Sequence, residues 1–173
     1  MNLIINLLSL FDRYNQKKIL NYFKSKNVQY NIFFDVGAHK GETLKLFSNN
    51  FNIREFYCFE PSPINFEYLK KKNFKNKKNI KIFNFGLGDK ESVLSFNQLE
   101  ESSSSTLVDI NQDSNYYKKK QKILNFFNLN KNKSKKINVN MRCLSEFMKK
   151  ESIDKIDILK IDTEGYEYKV IKG

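Results

Sequence analysis

The sequence predicts an α/β fold built on a parallel, doubly wound sheet. Three short apolar runs, Ile32–Val36, Glu55–Glu60 and Ile156–Asp162, read as strands, and each carries an acid at its end: Asp35, Glu60 and Asp162. Each run is followed by turn residues and then by apolar residues at helical spacing, the alternation that builds β-α-β units. The first turn is glycine-bearing, with Gly37 and Gly41. Open α/β sheets bind ligands beyond the carboxyl ends of their strands, so the three acids fall on one candidate edge.

The 173 residues fit one domain, and 40% hydrophobic content with 16 Phe and 9 Tyr is enough for a packed core. The formal charge of +12 invites a nucleic-acid reading, but Lys outnumbers Arg by 28 to 3. Bidentate phosphate and base contacts lean on Arg. The lysines also occur in short scattered runs (Lys70–Lys72, Lys77-Lys78, Lys118–Lys120, Lys135-Lys136) that read as solvated faces. An RNA-binding module would need those runs to form one patch. Cys58 and Cys143 are far apart and lack metal-ligand spacing; Cys58, in an apolar strand, reads as a buried reduced thiol.

Residues 1 to about 24 read as a helix. Leu3, Leu7, Leu8, Leu10, Phe11 and Tyr14 share one broad face, extended by Ile19, Leu20 and Phe23, and that face is expected to dock on the core. The stretch has no basic n-region or small-residue cleavage site and is too short to span a bilayer, so no transmembrane segment is predicted and a cytoplasmic protein is expected. After the break at Lys24–Asn27 come the Ile32–Val36 strand, the glycine turn and a helix from Thr43 to Asn50. The Glu55–Glu60 strand is stopped by Pro61-Ser62-Pro63, where Ser62 is a fitting N-cap with Pro63 at the first helical position. Ile80–Phe85 is the third strand, Gly86–Asp89 a turn, and Ser92–Phe96 a strand that doubles back. Ser102–Ser105 has the composition of a linker, and Asp113–Lys136 reads as a mobile insertion with one short helix. Ile137, Val139 and Met141 alternate, which predicts pairing with residues 92–96. Ser145 is expected to cap a short helix over Glu146–Lys149. The last strand, Ile156–Asp162, leads through the Thr163–Glu167 turn into a terminal helix. The organisation expected is an N-terminal helical segment, residues 1–30, and one ligand-binding domain, residues 31–173.

The turn after the first strand has the parts of a nucleotide-type site: glycines and a helix N-terminus. Gly37 and Gly41 stand four apart, however, so this is neither the dinucleotide G-x-G-x-x-G nor a P-loop. Asp35 would repel a pyrophosphate but would suit a ligand with an ammonium group. S-adenosylmethionine carries one, plus a sulfonium, and no phosphate. Glu60, 19 residues after Gly41, is placed to take both hydroxyls of a ribose. An oxidoreductase using the same acid for the ribose of NAD is the alternative, and the missing glycine fingerprint argues against it.

Four blocks together resemble the FkbM-type S-adenosylmethionine-dependent methyltransferases: Phe34-Asp-Val-Gly-Ala-His-Lys-Gly41, Phe59-Glu-Pro-Ser-Pro63, Asn84-Phe-Gly-Leu-Gly-Asp89 and Ile158-Leu-Lys-Ile-Asp-Thr-Glu-Gly-Tyr-Glu167. The resemblance implies a Rossmann-like class I methyltransferase fold and O-methylation of a sugar, glycan-precursor or other small-molecule hydroxyl. It implies that the turn from Asp35 through Gly37, Ala38 and Gly41 to Thr43 holds the methionine end. It likewise implies that Glu60 and Pro61 lie at the ribose, and Phe85, Gly86 and Leu87 near the adenine. Asp162 and Glu164 would face the transferring methyl and the acceptor, serving as base, helping to hold a divalent cation, or merely capping the turn. No His-rich ligand set accompanies them, so no metal is predicted. His39, the lone histidine, stands where the family often has Asn; it reads as a loop-stabilising hydrogen bonder with a role as base as the second option. The Ser102–Ser105 run resembles a family block that would be an ordered lid.

The family's sheet normally carries further strands after the Asp-Thr-Glu-Gly turn. The sequence therefore predicts a domain whose C-terminal strands are missing: a fragment, half of a split protein, or a partner-dependent subunit. An inactive cofactor-binding fragment is one form of this expectation. A strand at Ile156–Ile161 without an outer neighbour would self-associate or bind a partner through that edge.

Overall fold

Five consecutive buried residues, Ile32–Val36, form the central strand, as expected of a strand covered on both faces. The computed structural model describes residues 2–74, 79–99 and 134–173. The chain runs α1 (Asn2–Ser25), β1 (Ile32–Val36), α2 (Glu42–Asn50), β2 (Glu55–Phe59), α3 (Pro63–Lys71), β3 (Ile80–Phe83), β4 (Gly86–Gly88), β5 (Ser92–Leu99), β6 (Ser134–Cys143), α4 (Leu144–Lys150), β7 (Ile158–Ile161) and α5 (Glu167–Lys172).

The main sheet is parallel throughout, with order β3-β2-β1-β7. The chain steps outward from β1 to β2 and β3, then returns to the other side of β1. The order reverses there, and open α/β sheets form their ligand crevice at such a reversal. On one face Phe33, Phe56, Cys58 and Ile158 pack with Leu44 and Phe47 of α2, Leu69 of α3 and Phe23 of α1. On the other, Phe34, Val36, Tyr57 and Phe59 pack with Leu144 and Phe147 of α4 and Val170 of α5. The Phe147 ring centres this second layer, with five aromatic rings at centroid distances of 5.0 to 6.1 Å. The result is an α/β, Rossmann-like sheet with helices on both faces.

Several elements depart from expectation. Gly86–Gly88, expected as a turn, is a strand paired in parallel with β6. A Cβ at Gly86 would stand 2.7 Å from Met141 Sδ, so the Met141 thioether packs over the glycine. The third strand stops at Phe83 rather than Phe85, because Asn84 Nδ2 donates to the carbonyls of Glu60 (2.9 Å) and Pro61 (3.1 Å) and draws the chain across the sheet edge. The last strand begins at Ile158, not Ile156: Asp157 turns its carboxylate onto the amides of Asn31 (2.7 Å) and Ile32 (3.0 Å). Cys143, not Ser145, is the N-cap of α4, and its side chain makes no capping bond.

Other expectations hold. Ser62 caps α3 by accepting from Asn65 N at 3.3 Å, with Pro63 in the first turn. β5 and β6 pair antiparallel, with Leu94 opposite Val139 and Phe96 opposite Ile137, forming a second sheet of order β4-β6-β5. At its end α1 docks through Phe23, whose ring lies edge-on to Tyr30 (5.6 Å) and Phe47 (5.4 Å). Tyr14 and Ile19, expected on the docked face, are exposed. Among the described residues β7 pairs only with β1, and Leu159 is 39% exposed while Ile158 is buried. No helix among the described residues is long and apolar enough to cross a membrane. The Ser102–Ser105 run, and the insertion up to residue 133, lie outside the described residues.

Candidate functional site

The turn after β1 is built by hydrogen bonds to the end of β2. The amides of Gly37 and Ala38 both donate to the carbonyl of Phe59 at 3.0 Å, and Gly41 N closes back on Ala38 O at 2.7 Å. Three alternate turn positions are left-handed: Gly37 at φ 76°, His39 at φ 49° and Gly41 at φ 77°. Histidine and asparagine enter the left-handed region more readily than most residues, which gives His39 a backbone reason to be there. A Cβ on Gly37 would stand 2.0 Å from the carbonyl oxygen of Asp162. One on Gly41 would meet Leu69 Cδ1 at 2.5 Å and Phe74 Cζ at 2.7 Å. Both glycines therefore serve close packing within the protein.

Glu60 sits at the junction. Its Oε2 accepts from His39 N (2.7 Å) and its Oε1 from Ser62 N (2.9 Å), which ties the first turn to the start of α3. Burial pushes its carboxyl above the usual range, with the two amide donors pulling the other way. The Asn65 side chain is a further donor to this carboxylate, which still has lone-pair capacity for a ligand hydroxyl.

Between these turns and the end of β7 lies a cleft of about 320 Å³, at the lower end of the range for small-molecule sites, about 300–1,000 Å³. Of the sequence-predicted residues, the cleft gathers Gly37, Ala38, His39, Thr43, Glu60, Pro61, Gly86, Leu87, Asp162 and Glu164 on its walls. Asp35, Gly41 and Phe85 stand behind the walls. Phe85 is buried in the second core layer, with the Arg142 guanidinium 4.3 Å from its ring centre.

Asp35 needs the larger correction. It is fully buried and faces Lys160, its partner in the β1–β7 register, with Lys160 Nζ 3.0 Å from Asp35 Oδ1. Its charge is already matched inside the protein, so it is not the open carboxylate expected for a ligand ammonium. Burial raises the Asp35 carboxyl, against the pull of Lys160. The same Nζ donates to Gly37 O at 2.6 Å and lies 3.9 Å from Asp162 Oδ2.

Lys160, Glu42, Thr163 and Asn65 also line the cleft and were not singled out from the sequence. For Lys160 a signal existed: a charged residue inside an apolar strand needs a partner when buried. His39 Nδ1 lies 3.4 Å from Glu42 Oε1, and its Nε2 is a buried atom with no hydrogen-bond partner. Glu42 is held below its usual range: its own burial raises it, but the His39 contact and the helix amides outweigh that. Beyond β7, Glu167 accepts from the amides of Thr163 (3.0 Å) and Gly165 (3.1 Å), fixing the turn that presents Asp162 and Glu164. Asp162 and Glu164 are exposed, and Glu164 has φ 52°. Among the described residues, no group of three or more His, Cys, Asp or Glu is arranged to hold a metal ion.

A comparison with curated proteins returned no match. Among solved structures the chain is similar to a methyltransferase FkbM from Methylobacillus flagellatus KT, at 18% identity and a TM-score of 0.46, over 87% of this chain and 31% of that one. The chain thus spans about a third of the length of that protein. Comparison with protein-family models matches the methyltransferase FkbM domain over residues 35–173, from the first strand-end acid to the last residue. On that match the chain belongs to the FkbM methyltransferase family.

Proposed function

We propose that this chain binds S-adenosylmethionine and serves O-methylation of a hydroxyl on a sugar, glycan precursor or other small molecule. The observation that carries the reading is convergence: residues from all four sequence blocks, distant along the chain, line one cleft at the reversal of strand order. The lining suits the cofactor's charge. Glu42, Glu60, Asp162 and Glu164 face Lys160 as the one lysine or arginine among the described lining residues. Such a wall favours a ligand with cationic centres and no phosphate.

When bound, the cofactor supplies an electrophilic methyl on its sulfonium. The chain's own contribution is placement, since an in-line displacement gains most from holding donor and acceptor in register. Glu60, fixed by two amides, takes the ribose hydroxyls with its remaining lone pairs, beside Pro61. Gly86 and Leu87 flank the adenine, and the turn from Gly37 to Thr43 borders the methionine end. The proton of the acceptor hydroxyl leaves to a base drawn from Asp162, Glu164 and His39, which all face the cleft. The two free, buried thiols, Cys58 and Cys143, speak for a cytoplasmic setting.

Isothermal titration of the 173-residue chain with S-adenosylhomocysteine tests the reading. Wild type binds, and Glu60→Ala weakens binding by about 1.5–3 kcal/mol, the worth of a charge-assisted hydrogen bond. Unchanged affinity in that variant removes the ribose assignment, and no binding by wild type removes the cofactor.

A further inference from the structure

Resting on that cofactor reading, we propose that Lys160 is the receptor for the α-carboxylate of the cofactor's amino-acid end. Lysine has three N–H donors. One is committed within the protein, to Gly37 O at 2.6 Å, and Asp35 Oδ1 at 3.0 Å is an ion-pair partner. The third contact, Asp162 Oδ2 at 3.9 Å, is beyond hydrogen-bonding distance. Nζ therefore keeps donor capacity for a ligand, in a side chain that lines the cleft and is 22% exposed.

The surroundings make that donor selective. The other charged groups on the wall are the carboxylates of Glu42, Glu60, Asp162 and Glu164, which repel a ligand carboxylate everywhere except at Lys160. Asp162, close by, supplies the opposite sign, and an α-amino acid carries its ammonium and carboxylate on one carbon. Lys160 and Asp162 thus present the complementary pair to a zwitterion. Asp35 and Gly37 fix the position of Nζ from behind, so the ammonium is oriented before any ligand arrives. The role expected of Asp35, a direct contact with the amino-acid end, passes to the lysine that Asp35 holds.

The test compares two ligands that differ only in the carboxylate: S-adenosylhomocysteine and its decarboxylated counterpart, which keeps the amine. By isothermal titration, wild type prefers S-adenosylhomocysteine by about tenfold or more. Lys160→Met abolishes this preference while changing affinity for the decarboxylated ligand little, and Lys160→Arg keeps part of it. Lys160→Met leaves Asp35 buried without its partner. The double variant Asp35→Asn/Lys160→Met removes both charges and gives the same readout if circular dichroism finds the single variant unfolded. A preference for the carboxylate that survives in either variant overturns the assignment and leaves the cofactor reading intact. Failure of wild type to bind either ligand overturns both.

Discussion

Single residues in the first turn do work that their identity only half announces. Gly37 invites the interpretation that a ligand needs space beside it, yet the space is filled by the Asp162 carbonyl from the neighbouring strand. Its φ of 76° adds a second reason for glycine. Gly37→Ala therefore faces both a strained backbone and a contact that only movement of the β7 turn can relieve. We expect a loss of about 3 kcal/mol in urea unfolding, near the upper part of the range for point substitutions. Gly86→Ala is the control. Its Cβ would meet the Met141 thioether at 2.7 Å, a flexible group that can swing aside, so the loss should be only about 1 kcal/mol. Equal losses at the two positions would mean that the turn of β7 yields as easily as a side chain.

Among the elements, β7 and its pairing with β1 decide the geometry of the site. That pairing is pinned at its start by Asp157, which receives the amides of Asn31 and Ile32. The Lys155 ammonium, 2.8 Å away, and those two amides hold the Asp157 carboxyl down to about 2. The folded value lies below the unfolded one near 3.8, so the stabilisation is full above about pH 4 and is lost as pH falls through about 2. Asp157→Asn should cost about 1 kcal/mol at pH 7, allowing for solvent screening of the Lys155 pair, and the gap to wild type should close between pH 4 and pH 2. A gap that stays constant with pH would assign the effect to shape rather than charge. Asp157 also illustrates what the sequence could tell. The parallel strands, the Ser62 cap, the pairing of residues 92–96 with 137–141 and the strand-end acids were legible, because apolar period and capping chemistry are local. The start of β7 at Ile158, the strand character of Gly86–Gly88 and the partnership of Asp35 with Lys160 were not. Each depends on a group more than 50 residues away in the chain, brought close only by the order of strands. For the same reason most of the cleft-lining residues could be named from their motifs, while for Lys160 the need for a partner was legible but not which residue supplies it.

At the scale of the whole molecule, charge separates the two cofactor classes that the fold could serve. The chain carries +12, spread over many lysines, so its outer surface attracts anions. The cleft has the opposite character, with four carboxylates on its wall and one lysine whose charge is largely matched by Asp35. A dinucleotide would have to place a pyrophosphate among those carboxylates, without the glycine fingerprint whose amides and helix N-terminus offset such a charge. S-adenosylhomocysteine brings no phosphate; its one ammonium suits the acidic wall, and its one carboxylate needs only the single cation that Lys160 offers. Binding to the folded state alone stabilises by about 2.7 kcal/mol at a hundredfold excess over the dissociation constant. For a chain of this length that corresponds to a rise in Tm of about 5–10 °C. We therefore expect a thermal shift of this size with S-adenosylhomocysteine, and none with NAD or NADP at the same concentration. A shift with the dinucleotides alone would place the oxidoreductase reading first. It would also require the acidic wall to be neutralised on binding, which proton uptake measured in two buffers of different ionisation enthalpy would detect.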